Sequence, residues 1–315
     1  MKRNFFAALM AGLFILGFSS CNAKKSEGEA QALVGDASTV ESGQFSYNPT
    51  EPVNGRKKAV VELGASGFNL FAIEVDKDKN WKSIKKEFGS SLISEGMTNA
   101  ETIKTKLQDY IRSIVDFGVA GKDIHFVVSS GAAKEAIIGD ITKALKAIGY
   151  QVNQVTPEME GTYAFRCTLP KGYEDKGFVV DLGSGNTKIS YLDGSKTVAK
   201  ETYGAKYFQK GVDDKTAYDD AKAKVADVPA SKRGTLFLIG GVPFQMAKMQ
   251  KKGNERFTVL STNLSDYDQL AKDEGEKVKA GLNIYKAILD ETNAEQVVFD
   301  WDANFTIGFL LSLPY

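Results

Sequence analysis

The feature that most restricts this chain is a strand-turn-strand unit written twice. "VVELGASGFNLF" occupies residues 60–71 and "VVDLGSGNTKIS" residues 179–190, so Val-Val-acid-Leu-Gly recurs 119 positions on (181 minus 62). Each copy is an apolar run ending in a carboxylate, a few small residues, and a second extended run. Glycine permits the dihedrals of a tight return and removes the side chain that would block an anion. Successive backbone N–H groups in such a turn form an anion-binding concavity. The acid before the turn can position a hydrated divalent cation or a water. One such turn is an ordinary hairpin. Two with matching flanks point to two related halves, each offering one wall of a phosphate site.

From Ala59 onward strands and helices alternate, which argues an α/β class. In the first half, "AVVELG" and "NLFAIEV" read as strands. "TNAETIKTKLQDYIRSIVDFG" reads as a helix, with Thr98 and Glu101 in capping-box spacing and Gly118 to close it. Its residues Ile103, Leu107, Tyr110, Ile111, Ile114 and Phe117 keep helical spacing. "IHFVVSS" is a strand, "AAKEAIIGDITKALKAIG" a helix and "QVNQV" a strand, before the short segment "PEMEGTYAFR". In the second half "GFVVDLG" and "TKISYLDG" form a hairpin, with "KTVAKETYG" as a third strand and "TAYDDAKAKVAD" helical. "GTLFLIGG" is a strand entering a Gly-Gly turn, and "FQMAKM" starts a helix. "KVKAGLNIYKAILDETN", "EQVVFD" and "FTIGFLLSL" close the chain as helix, strand and helix. The expectation is two lobes, residues 58–176 and 177–315.

The N-terminus reads as an address rather than a fold. "MKRNFFAALMAGLFILGFSSC" has a basic start, an apolar stretch from Phe5 to Phe18, and small residues before Cys21. That is a secretory signal, too short for a spanning helix. Small residues directly before a cysteine resemble a lipoprotein cleavage box, although Phe18 stands where Leu is usual. Residues 1–20 are then removed, Cys21 is lipidated, and the polar, aperiodic residues 21–57 form a flexible tether. The expected location is a bacterial cell envelope membrane, with the domain exported and facing the periplasm. Without Lys2 and Arg3 the chain carries 38 basic and 40 acidic residues (40 minus 2 against 40), so no basic surplus points to nucleic acid. Cys167 is then the lone thiol, and the single histidine, His125, lies within an apparent strand, poorly placed to build a triad or a metal site.

The paired loops resemble the two phosphate motifs of the actin, sugar kinase and heat-shock ATPase superfamily. More narrowly, the chain resembles the exopolyphosphatase and guanosine pentaphosphate phosphatase family. The family's D-L-G-S-N-S-F-R-L is "ELGASGFNL" here, and its T-S-A-x-R-E-A is echoed by "SGAAKEA" at 130–136. Its G-x-E-E-A segment falls on "PEMEGTYAF", and D-I-G-G-G-S-T-E-L on "DLGSGNTKI". "FLIGGVPFQMAKM" and the closing helix-strand-helix follow in the family's order, so the match spans about residues 59–315.

The resemblance implies two ribonuclease-H-like lobes with an interlobe cleft, the actin-like ATPase fold. It implies Glu160 and Asp181 as catalytic residues, with Glu62 and Asp181 holding Mg²⁺. A phosphate would lie against Gly64, Ser66, Gly67, Lys134, Gly183, Ser184, Gly185, Asn186, Thr187, Lys188, Gly240 and Gly241. The implied activity is hydrolysis of polyphosphate or another phosphoanhydride.

The spelling departs from the family where chemistry should sit. Glu62 replaces an aspartate, Ala65 and Gly67 replace serines, and Asn69 replaces an arginine, losing a bidentate phosphate clamp. Lys134 replaces an arginine and loses its planar fork. Lys188 replaces a glutamate and reverses the charge beside Asp181, where it is expected either to pair with that carboxylate or to stand in the place of Mg²⁺. Two readings follow: a weak or altered phosphohydrolase, or a catalytically inactive envelope lipoprotein whose cleft binds an anion or a protein partner.

Overall fold

The computed structural model describes residues 45–64, 67–89 and 100–315. Strand β1 (Arg56–Gly64) folds back on β2 (Gly67–Val75), with Glu62 opposite Asn69 and Gly64 opposite Gly67. β3 (Trp81–Phe88) adds an outer strand that the sequence pattern did not reveal. Its "WKSIKKEF" is half-exposed and rich in lysine, as suits a protected sheet edge, and so lacks clean alternation. α1 (Ala100–Asp116) ends as expected at Gly118, whose φ of 96° needs a residue without a Cβ. Its anticipated cap at Thr98 lies outside the described residues. β4 (Ile124–Val128), α2 (Ala136–Ala147) and β5 (Val152–Gln154) complete a sheet ordered β3-β2-β1-β4-β5.

The short segment after β5 is a full helix, α3 (Pro157–Thr168). Thr156 caps it by accepting the Met159 N–H at 3.3 Å, and Pro157 sits in the first turn, where its missing N–H costs nothing. The second half then repeats the first: β6 (Gly177–Leu182), β7 (Asn186–Asp193), β8 (Lys196–Tyr203), α4 (Asp214–Val225) and β9 (Thr235–Gly240). After these come α5 (Gly241–Gln250), β10 (Phe257–Leu260), α6 (Asp268–Glu274), α7 (Glu276–Thr292), β11 (Gln296–Asp300) and α8 (Phe305–Ser312). Its sheet runs β10-β11-β9-β6-β7-β8. Without the added edge strand β10, that is the order of the first sheet. The fold is therefore α/β, two ribonuclease-H-like lobes.

Three apolar layers hold the lobes together. Ile103, Leu107, Ile141 and Leu145 of α1 and α2 pack on the outer face of the first sheet, against Val61, Leu63 and Leu70. α4, α5 and α7 do the same for the second, against Phe178, Val180 and Leu238. Between the sheets lies a shared layer of Val60, Phe71, Val179, Phe237, Ala164, Phe165, Ile307 and Leu310. α3 lies on β6, β7 and β8, α8 lies on β1 and β2, and the two helices cross each other.

Residues 45–57, expected as the end of the tether, belong to the fold. Phe45 stacks edge-on against Phe237 and Phe257, and the Val53 N–H donates to Asp76 Oδ2 at 3.1 Å. Apolar side chains spaced singly among polar residues gave no periodicity by which to see this. Cys21 and Ser66 lie outside the described residues.

Candidate functional site between the lobes

Side chains alternate across a strand, so Glu62 shares a face with Val60, Asn69 with Phe71, and Asp181 with Val179. All three partners belong to the shared central layer. The two hairpins thus aim Glu62, Asn69, Asp181 and Lys188 at the space between the sheets. The 119-residue offset that relates Glu62 to Asp181 also relates Asn69 to Lys188 (188 minus 69), and across the hairpins Glu62 stands opposite Asn69 and Asp181 opposite Lys188.

Glu160 enters from the first turn of α3 and is 0% exposed, with Lys188 at 6% and Asp181 at 8%. It lies at the centre of the cluster and not at the cleft edge. Both of its oxygens are engaged: Oε1 accepts the Ser130 N–H at 2.6 Å, and Oε2 forms an ion pair with Lys188 Nζ. Lys188 therefore pairs with Glu160 rather than with its cross-strand neighbour Asp181. α3 can approach β7 this closely because residue 161 is glycine; a Cβ there would lie 2.8 Å from Ser190 Oγ and 2.6 Å from Ala199 Cβ. Glu62 is held differently, by two amides: Asn69 Nδ2 donates to its Oε2 at 3.2 Å and Asn304 Nδ2 at 3.4 Å. Asn304 is also the cap of α8, accepting the Thr306 N–H at 2.8 Å.

Burial sets the electrostatics. It pushes the Glu62 carboxyl up to about 7, opposed by the Asn69 amide and assisted by the charges of Asp181 and Glu160. Burial also raises the Asp181 carboxyl, against the pull of Lys188. For Lys188 burial alone would lower the ammonium, but Asp181, Glu160 and Glu62 together hold it above its usual range. One permanent cation thus sits among three carboxyls. Because Glu62 titrates higher in the folded chain than in the unfolded one, its contribution to stability falls as pH rises from about 4.5 to about 7 and is level beyond. Glu62→Gln should therefore be about 2–3 kcal/mol more stable than the native protein at pH 8, with the gain vanishing near pH 4.5. Urea titrations at the two pH values measure this, and an equal difference at both would refute it.

The glycine loop of the second lobe is pinned from behind. The carbonyls of Gly183 and Ser184 accept the N–H groups of Ala205 and Lys206, each at 2.9 Å. The N–H groups of Ser184 and Gly185 make no hydrogen bond among the described residues. Asn186 Nδ2 donates to Glu201 at 2.7 Å and to Ser130 Oγ at 3.2 Å, and a Cβ on Gly185 would stand 3.9 Å from Gly131 Cα, so loops of the two lobes meet. Gly240 has φ 118° and no room for a Cβ, which would fall 2.2 Å from the Leu182 carbonyl oxygen. That close approach sets Gly241 and the start of α5 beside the end of β6.

The expected site residues thus divide. Glu62, Glu160, Asp181 and Lys188 converge, with the Gly183–Asn186 loop and Gly240–Gly241 at the strand ends beside them. Gly64 and Gly67 close the first hairpin. Thr187 points the opposite way from Lys188, into the outer core, and is fully buried. Lys134 is exposed on the turn before α2 and makes no ion pair among the described residues. His125 stacks edge-on against Phe309 and takes no part in the cluster. Ser130 and Asn304 were missed. Ser130 acts through its backbone, which no side-chain pattern reveals, whereas an Asn directly before "FTIGFLLS" is a helix-cap signal that points to residue 304.

These residues do not fit Mg²⁺ in the arrangement seen. A divalent cation needs several oxygen ligands, but Lys188 occupies Glu160, and Glu62 is held toward its protonated form by burial while its Oε2 already accepts two amides. No group of three His, Cys, Asp or Glu side chains suited to a metal occurs among the described residues.

The whole architecture recurs in solved proteins. A Ppx/GppA family member from Aquifex aeolicus superposes with a TM-score of 0.63 at 18% identity, over 82% of this chain and 97% of that one. An exopolyphosphatase from Cytophaga hutchinsonii gives 0.63 at 12% identity, over 81% and 96%. The chain therefore has the actin-like ATPase fold, and it spans nearly the full length of these similar proteins. No protein-family model and no curated protein matches the sequence.

Proposed function

We propose that this protein is a divergent phosphohydrolase of the exopolyphosphatase type that binds polyphosphate or another phosphoanhydride between its lobes and hydrolyses it slowly, without Mg²⁺. The observation that carries this reading is the buried Lys188–Glu160 pair beside a glycine loop whose Ser184 and Gly185 N–H groups have no partner among the described residues. Ser184 and Gly185 N–H groups receive the terminal phosphate, as backbone concavities do. The phosphate draws the Lys188 ammonium toward itself and frees Glu160, which then orients a water and takes its proton as general base. Lys188 meets the charge on the transferred group. A metal normally supplies several kcal/mol of such stabilisation, so turnover should be roughly 10²–10⁴-fold slower than that of a metal-served site.

A second reading rests on the same pair: with both Glu160 oxygens engaged, the cleft binds an anion or a partner and catalyses nothing. Phosphate release from polyphosphate, measured with Mg²⁺ and with a chelator, separates the two. The expected result is slow turnover, indifferent to the chelator and abolished in Lys188→Glu by repulsion of the substrate. Binding without turnover favours the second reading, and the absence of any binding by the native protein overturns both.

We also propose that the protein is exported and anchored to the cell envelope through a lipidated Cys21, as the sequence implies. Among the described residues no helix is long and apolar enough to cross a membrane. Mass spectrometry of the mature N-terminus should find an acylated cysteine at position 21, and cleavage elsewhere would rule the anchor out.

A further inference from the structure

α3 and α8 each hold one end at the carboxylate cluster, through Glu160 and Asn304. Their other ends reach a cavity of about 460 Å³ that the proposed reaction does not use. Arg166 lies six residues beyond Glu160, about 9 Å along the helix. The cavity is walled by the rings of Tyr47, Trp81 and Phe257, with Cys167, Leu169 and Leu311 among its apolar lining. Its volume lies in the range of small-molecule sites, and its lining sets these rings beside a majority of polar and charged residues.

The charges at this cavity are unbalanced. Four cations line it, Lys79, Arg166, Lys171 and Arg256, against one acid, Asp78. Two of the cations are spoken for. Arg256 donates to Asp300 at 2.9 and 3.1 Å, and Lys79 donates to the Leu313 carbonyl beyond the end of α8. Among the described residues Lys171 donates only to the neutral Asn80 Oδ1, at 3.2 Å. Arg166 makes no hydrogen bond or ion pair among the described residues; its recorded contact is the Tyr163 ring, 6.0 Å from the guanidinium carbon. A guanidinium offers a planar fork that matches a carboxylate or a phosphate. Next to it, Arg256 lies over Trp81 at 4.2 Å and near Phe257 at 5.1 Å, which fixes those rings as rigid walls.

We propose that this cavity is a second ligand site, for a small molecule that carries an oxyanion group on an aromatic body. The oxyanion pairs with Arg166 and Lys171, and the ring lies against Tyr47 and Phe257. Phosphate and carboxylate share the required chemistry. The inference does not depend on the interlobe cleft being catalytic.

The test uses Trp81 as reporter. The chain has two tryptophans, so the full-length Trp301→Phe protein leaves Trp81 as the only indole. It is titrated to about 10 mM with phenyl phosphate, benzoate or inorganic phosphate. The expected result is a saturable change in Trp81 emission with phenyl phosphate or benzoate, and the arm that responds identifies the oxyanion. Affinity should fall at least tenfold in Arg166→Glu, an exposed position on the last turn of α3. It should be unchanged in Lys146→Glu, the same charge change on exposed α2. No saturable response to either aromatic oxyanion would overturn the proposal. So would equal affinity in Arg166→Glu, or inorganic phosphate binding as tightly as phenyl phosphate.

Discussion

Replacing Lys188 with methionine is expected to cost the fold about 3–5 kcal/mol near neutral pH, the usual penalty for removing one partner of a buried pair. Methionine keeps most of the lysine's length and volume, so packing against α3 is largely retained and the loss is electrostatic. It leaves the buried Glu160 with one oxygen facing no donor, and Asp181 without the cation that opposes its own burial. The Asp181 carboxyl, its burial no longer opposed, then resists ionisation more strongly in the folded chain. A carboxyl raised in this way loses stability as pH climbs above its unfolded value, so much of the deficit should disappear below about pH 4.5. The double variant Lys188→Met/Glu160→Gln should recover much of it at neutral pH, since a neutral amide can still accept the Ser130 N–H. Urea unfolding at pH 4.5 and 7.5 tests each part. A single variant within 1 kcal/mol of the native protein at pH 7.5 would show that the pair is not buried as described.

Gly308→Ala carries the other large effect, and its cause is steric. A Cβ at residue 308 would lie 1.9 Å from the Tyr163 carbonyl oxygen and 2.5 Å from its carbon. The obstacle is the backbone of a crossing helix, which cannot swing aside as a side chain can. α3 and α8 would have to separate by more than an ångström, opening the central layer and shifting the helix starts that carry Glu160 and Asn304. Ordinary overpacking costs about 1–3 kcal/mol, and a clash of two helix backbones should exceed about 3 kcal/mol. Gly139 supplies the comparison. It lies inside α2 with nothing within 4 Å of an added Cβ, so Gly139→Ala should stabilise by up to about 1 kcal/mol through helix propensity alone. Thermal unfolding of the two variants should move in opposite directions, and a harmless Gly308→Ala would disprove the crossing geometry.

The doubled hairpin was legible because it rests on local rules: alternation, a terminal acid, and small residues in the turn. These gave two lobes, placed Glu62 and Asp181 as equivalents, and put Lys188 near Asp181. They could not give the partner of Lys188. That choice is made by α3, whose approach to β7 depends on Gly161 and whose helical length was hidden in a segment with little amphipathic contrast. The role of Asn69 was equally hidden. Read as a lost phosphate clamp, it proves to share Glu62 with an amide that arrives from the last helix. β3 was missed because its outward face carries lysines, and Phe45 because single aromatics have no period. In each case the information lay in a contact made far along the chain.

The crossing of α3 and α8 also governs when structure can form. All five strands of the first sheet are complete by residue 154, yet their inner face, with Val60 and Phe71, shares its apolar layer with Phe305, Ile307, Phe309, Leu310 and Leu311 of α8. Lys58 likewise waits for the Pro314 carbonyl, which it reaches at 2.7 Å across 256 positions. Such distant partners make the search for the native topology slow. A growing chain that has finished its first half still presents a sticky apolar surface, a hazard for self-association. α8 thus joins the cores of both halves, and the two are expected to become native together.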